Sequence, residues 1–113
     1  GVTTLTSLDD KDTTDIYKRT NINQVNKMLD LSVEAGIHGV VCSPHELRLV
    51  AERKSLQSIT PGIRLKYSDD DQRRVMTPKK AIDLGSDFIV IGRPITSSND
   101  IKKSLNEIYN SIK

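Results

Sequence analysis

The sequence contains no tryptophan, one phenylalanine, three tyrosines and a single cysteine, Cys42, among its 113 residues. One cysteine excludes an intrachain disulfide framework and suits a reducing cytoplasm. No stretch approaches the roughly 18–20 apolar residues of a membrane span, so no membrane association is expected. A net charge of +2, with neither a basic run nor an aromatic platform beside it, gives no reason to expect nucleic acid as a partner. Low-complexity segments, linkers and a signal-peptide pattern are also missing: the chain opens at Gly1 straight into a β-like run. What is left is the composition of a small globular domain with a modest core.

Short apolar runs alternate with helix-like segments along the whole chain. Val2–Leu5 reads as a strand and Asp9–Tyr17 as a short polar helix. From Gln24 to Ala35 the apolar positions Val25, Met28, Leu29 and Val33 keep helical spacing, and Gly36 supplies the stop. Val40-Val41-Cys42 reads as a strand buried on both faces. Ser43-Pro44-His45-Glu46 then starts a helix, with Ser43 as cap, Pro44 in the first turn and Glu46 completing a capping box. Ser58–Thr60 is a third strand, cut off by Pro61-Gly62, and residues 63–76 form a long polar connection of the kind that usually carries function. Thr77-Pro78 opens another helix and Gly85 closes it. Phe88–Ile91 is a fourth strand, apolar throughout and read as buried, and a final helix from about Asp100 carries Ile101, Leu105, Ile108 and Ile112 on one stripe. The order β-α-β-α-β-α-β-α demands a parallel sheet with right-handed crossovers. A doubly wound sheet and part of a (β/α)8 barrel both satisfy it; a whole barrel needs about 250 residues.

Two segments carry chemistry. In Ile89-Val-Ile-Gly92-Arg93-Pro-Ile-Thr96 a strand runs directly into a glycine that lets a ligand approach the backbone and an arginine whose planar fork matches phosphate oxygens. A turn glycine beside a surface arginine is the competing reading. In Thr60-Pro61-Gly62-Ile63-Arg64, followed by Asp71-Gln72-Arg73-Arg74, a rigid turn leads into a charged loop from which Arg64 and Gln72 can both reach an anion. Arg73 and Arg74 read as solvated charges.

These blocks resemble the orotidine 5′-phosphate decarboxylases of the bacterial type. The resemblance rests on Thr60-Pro-Gly-Ile-Arg64, Asp71-Gln-Arg-Arg-Val-Met-Thr-Pro78 and Ile91-Gly-Arg-Pro-Ile-Thr96, with Leu5-Thr6-Ser7 and Gly39-Val-Val-Cys-Ser-Pro44 in the same order. It implies an α/β fold that is the second half, four βα units forming strands five to eight, of a TIM (β/α)8 barrel. It further implies a dimeric enzyme that converts orotidine 5′-monophosphate to UMP and carbon dioxide with neither metal nor cofactor. Substrate-binding positions carried over by the resemblance are Thr6 at the pyrimidine amide, Pro61 lining the pyrimidine pocket, Arg64, and Gln72, Gly92 and Arg93 at the phosphate. The 63–76 connection would be a phosphate-gripping loop, although Leu65–Asp70 looks compressed against the family pattern.

The family's proton-donating lysine and paired aspartates, an Asp-x-Lys-x-x-Asp arrangement on an earlier strand, have no counterpart here. No catalytic residue is therefore assigned in this chain, and the complementary N-terminal half-barrel is the expected partner. Asp9-Asp10-Lys11-Asp12 reads as helix-start acids and a solvated lysine. Cys42 reads as a buried small hydrophobe, His38 and His45 as too poorly accompanied for a metal site, and Lys79 and Lys80 as surface charges. A non-catalytic phosphate- or nucleotide-binding half-barrel, or a decayed fragment, is the alternative function.

Overall fold

The computed structural model describes residues 1–5, 7–65 and 75–113. Helix α1 (Asp10–Tyr17) starts at Asp9, whose carboxylate accepts the Asp12 N–H at 2.9 Å while the Asp12 carboxylate accepts the Asp9 N–H at 3.1 Å. The acids of this segment thus serve the helix start, satisfying orphan N–H groups. Helix α2 (Asn21–Glu34) begins one turn earlier than its apolar spacing predicts, because Thr20 accepts the Asn23 N–H and sets the first turn there. Its Val25 and Leu29 are fully buried, whereas Val33 stands at the surface.

Strands β1 (Gly39–Val41), β2 (Gln57–Thr60) and β3 (Phe88–Ile89) form a parallel sheet in that order. Gly39 is required at its place: a Cβ there would sit 2.7 Å from the Gln57 carbonyl oxygen. Between β1 and β2, a 3₁₀ turn (Pro44–Glu46) capped by Ser43 runs into α3 (Leu47–Ala51). Helix α4 (Pro78–Asp83) starts from the Thr77 cap, a short α5 (Arg93–Thr96) follows β3, and α6 (Ile101–Ser111) is capped by Asp100.

Two expectations need correction. The predicted first strand is reduced to a single parallel bridge, Val2 with Val41, flanked by Thr3 N–H to Val41 O at 3.0 Å and Val41 N–H to Gly1 O at 2.8 Å. Beyond it the Thr3 and Thr4 hydroxyls turn instead to Glu46 and Asn21. The predicted fourth strand stops at Ile89, and it is not buried on both faces: Phe88 is 53% exposed.

The cause is one-sided cover. Val40 and Cys42 point to α2 and α3 and form a core with Val25, Leu29, Leu47 and Val50. Alternation along the strands puts their neighbours on the opposite face. There the register aligns Val2, Val41, Ile59 and Phe88 in one row across the sheet. The two ends of the row are the most open, with Val2 at 58% and Phe88 at 53%, and no helix among the described residues covers it. The α6 stripe is likewise only half used: Ile108 is buried, while Ile101 and Leu105 are exposed.

Candidate anion site

Since β2 and β3 are parallel neighbours, Thr60 opposite Ile89, the segments that leave their C-terminal ends emerge on the same edge of the sheet. The Val90 N–H still donates to the Thr60 carbonyl at 2.8 Å, which holds the two exits together. Past Thr60 the chain turns through half-buried Pro61 and through Gly62, whose φ of +77° is a left-handed conformation that favours glycine. Ile63 is then bridged to Met76, and Arg64 follows. Past β3, Gly92 precedes α5, its carbonyl accepting the N–H groups of Ile95 and Thr96 at 2.8 and 3.1 Å.

These two exits meet at a pocket of about 340 Å³ lined by Arg64, Arg93, Pro94 and Ser97. Two guanidinium-bearing side chains and a hydroxyl, with no carboxylate among the described residues of the lining, suit an anion carrying several oxygens. Arg93 and Ser97 share the pocket because four residues bring them to the same side of the α5 turn. A Cβ placed on Gly92 would meet nothing within 4 Å, so the space beside this backbone is open. Of the residues singled out in the sequence, Arg64 and Arg93 are brought together and Gly92 adjoins them. Pro61 lies on the same edge but is not part of the lining. Thr6, Gln72, Arg73 and Arg74 lie outside the described residues. Ser97 was missed by sequence reasoning, since a lone serine after a proline turn carries no signal.

A larger pocket, about 490 Å³, opens elsewhere, among Leu5, Asp9, Asp10, Asn21, His45 and Glu46. Its carboxylates outnumber its cations and make it the poorer place for a phosphate. The Glu46 carboxylate on its wall is buried. One of its oxygens, Oε2, accepts the Thr3 hydroxyl at 3.0 Å and the Ser43 N–H at 3.1 Å. Burial raises its pKa, against the opposing hydrogen bonds from Thr3, Ser43 and Asn21 and the nearby His45. Sequence reasoning found the capping box but not the burial, which follows from the contact with Thr3 across 43 residues.

The remaining candidates serve structure. Cys42 is packed in the core, and burial, then the Glu46 charge, pushes its thiol up to about 12 against a hydrogen bond from Thr60. It is no nucleophile at neutral pH. Lys79 pairs with Asp83 at 3.6 Å on the exposed side of α4, and Lys80 is exposed. Among the described residues no three His, Cys, Asp or Glu side chains group as a metal site requires.

The chain is similar to known proteins over nearly its whole length. The model of the orotidine 5′-phosphate decarboxylase / HUMPS family matches residues 1–108. The orotidine 5′-phosphate decarboxylase of Glaesserella parasuis serovar 5 is 47% identical over 114 residues, which span 95% of this chain and 50% of that protein. The enzyme of the same name from Ehrlichia canis is 43% identical over 115 residues, covering 99% and 50%. Among solved structures, orotidine 5′-phosphate decarboxylase from Lactobacillus acidophilus superposes with a TM-score of 0.78 at 32% identity, over 99% of this chain and 47% of that one. The Pyrococcus horikoshii OT3 enzyme, at 19% identity and a TM-score of 0.60 over 78% of this chain and 41% of that one, shares the fold. The chain spans about half the length of the curated relatives it matches.

Proposed function

Because the chain belongs to the orotidine 5′-phosphate decarboxylase / HUMPS family, we propose that it is the substrate-phosphate-binding half of such a decarboxylase. In this reading it supplies strands five to eight of a (β/α)8 barrel. The observation that carries it is the meeting of Arg64 and Arg93, from the ends of two adjacent parallel strands, in one pocket. Barrel enzymes place their sites at that edge of the sheet, and their phosphate sites in the loops after the last strands. The substrate is orotidine 5′-monophosphate and the product UMP.

The uncovered row Val2–Val41–Ile59–Phe88 supports the half-barrel assignment, because an inner barrel face is filled by side chains from all of its strands. The complementary N-terminal half covers this row and brings the lysine and aspartates that do the chemistry, and the completed enzyme forms a homodimer. No metal or cofactor enters the reading. Loss of carbon dioxide leaves carbanion character in the ring, remote from the phosphate. Grip on the phosphate contributes by holding the ring against the catalytic groups, so binding energy far from the reacting carbon lowers its barrier. The family resemblance adds Thr6 and Pro61 at the pyrimidine and Gln72 at the phosphate, the last from the connection spanning 63–76.

Titration of the chain with UMP and with uridine tests the reading. Arg93→Ala is expected to weaken UMP about tenfold or more, in line with a charge-assisted bidentate contact, and to leave uridine nearly unchanged. Equal losses for both ligands, or decarboxylation by this chain alone, contradict it.

A further inference from the structure

Resting on that reading of the anion pocket, we infer that Met76 is a positioning residue for Arg64. Met76 is not part of the pocket lining, and its thioether has no charge to offer a phosphate. Its backbone nevertheless brackets the residue just before Arg64. The Arg64 N–H donates to the Met76 carbonyl at 3.0 Å, and the Met76 N–H donates to the Gly62 carbonyl at 3.2 Å. The result is a parallel bridge between Ile63 and Met76, isolated from the main sheet.

Two backbone hydrogen bonds alone would not hold such a bridge, since each contributes only about 1 kcal/mol net. Burial holds it. Ile63 is 2% exposed and Met76 3% exposed, and with Ala81 they form a separate core against which Leu84, Ile89 and Ile91 pack. Ile89 and Ile91 belong to the run that leads directly into Gly92 and Arg93. Both arginines are therefore referenced to one apolar block: Arg93 through its own strand, Arg64 through Ile63 and the Met76 side chain that pins the bridge. Displacement of a binding group by about 1 Å is enough to lose much of a geometry-dependent contact. The Met76 side chain consequently sets how well Arg64 and Arg93 converge on one anion.

The test is a double-mutant cycle on the full chain, read as UMP and uridine affinities by calorimetry, with thermal melts to establish that each variant is folded at the titration temperature. Met76→Ala is expected to weaken UMP about tenfold while uridine affinity holds, and Met76→Leu to stay within about twofold of the parent. In an Arg64→Ala background, Met76→Ala should cause no further loss. Met76→Val carries the same comparison if Met76→Ala does not fold. Parallel losses for UMP and uridine, or an undiminished effect of the Met76 change in the Arg64→Ala background, overturn the positioning role and leave the phosphate pocket standing. If Arg64→Ala and Arg93→Ala both leave UMP affinity unchanged, the pocket reading itself fails and takes this inference with it.

Discussion

Ser58 and Asp87 clasp each other across the start of β2 and β3. The Asp87 carboxylate oxygen Oδ2 accepts both the Ser58 N–H at 2.7 Å and the Ser58 hydroxyl at 3.0 Å, and the Asp87 N–H donates back to the Ser58 hydroxyl oxygen at 3.0 Å. Next to it, the Thr60 and Ser86 hydroxyls meet at 2.6 Å. A short β3 is thus aligned on β2 by side chains as much as by its ladder, and that alignment places the exits that carry Arg64 and Arg93.

Removing the carboxylate strands a buried N–H. Asp87→Ala is expected to lower unfolding stability by about 1–3 kcal/mol, the usual cost of an orphaned buried donor. Asp87→Asn, which keeps one acceptor, should lose clearly less. Urea midpoints at constant slope check both.

A second stability prediction concerns the pairing of β1 with β2. Because a methyl group on residue 39 would lie 2.7 Å from the Gln57 carbonyl oxygen, which is backbone and cannot swing aside, Gly39→Ala should destabilise the chain by about 1–3 kcal/mol. Unchanged stability by the same urea measurement would show that the strands separate freely.

Glu46 makes a prediction about pH. Its folded-state pKa is raised by burial above the ordinary 4.5. Between 4.5 and that raised value the folded chain holds a proton that the unfolded chain has released, so this group's contribution to stability declines as pH rises through the window. Relative to Glu46→Gln, which titrates nowhere in this range, the parent should therefore lose stability as pH is raised from 4.5. A parent that gained on the variant over that interval would mean that the hydrogen bonds from Thr3 and Ser43 outweigh burial.

Much of this architecture is legible in the residues. Ser43, Thr77 and Asp100 announce helix starts because a short polar side chain can accept an N–H that the first turn leaves orphaned, and all three do so. The Phe88–Ile91 run is less legible. Apolarity marks a strand, but it does not say which face this chain itself covers, so Phe88 and Val90 read as buried and are exposed. Likewise α5 is invisible to periodicity, since Arg93–Thr96 is a single turn. In the site, Arg64 and Arg93 can be singled out one at a time from Pro-Gly and Gly-Arg turns. Their convergence follows only from the parallel adjacency of β2 and β3, and the support from Met76 depends on a bridge that no local pattern encodes.

A crystal structure of the chain with UMP bound tests the account most directly. The phosphorus should lie between the Arg64 and Arg93 guanidinium groups, with phosphate oxygens at about 2.7–2.9 Å from their nitrogens. A phosphate seated anywhere else, beside Glu46 for instance, with the two arginines turned away from it, would contradict the account.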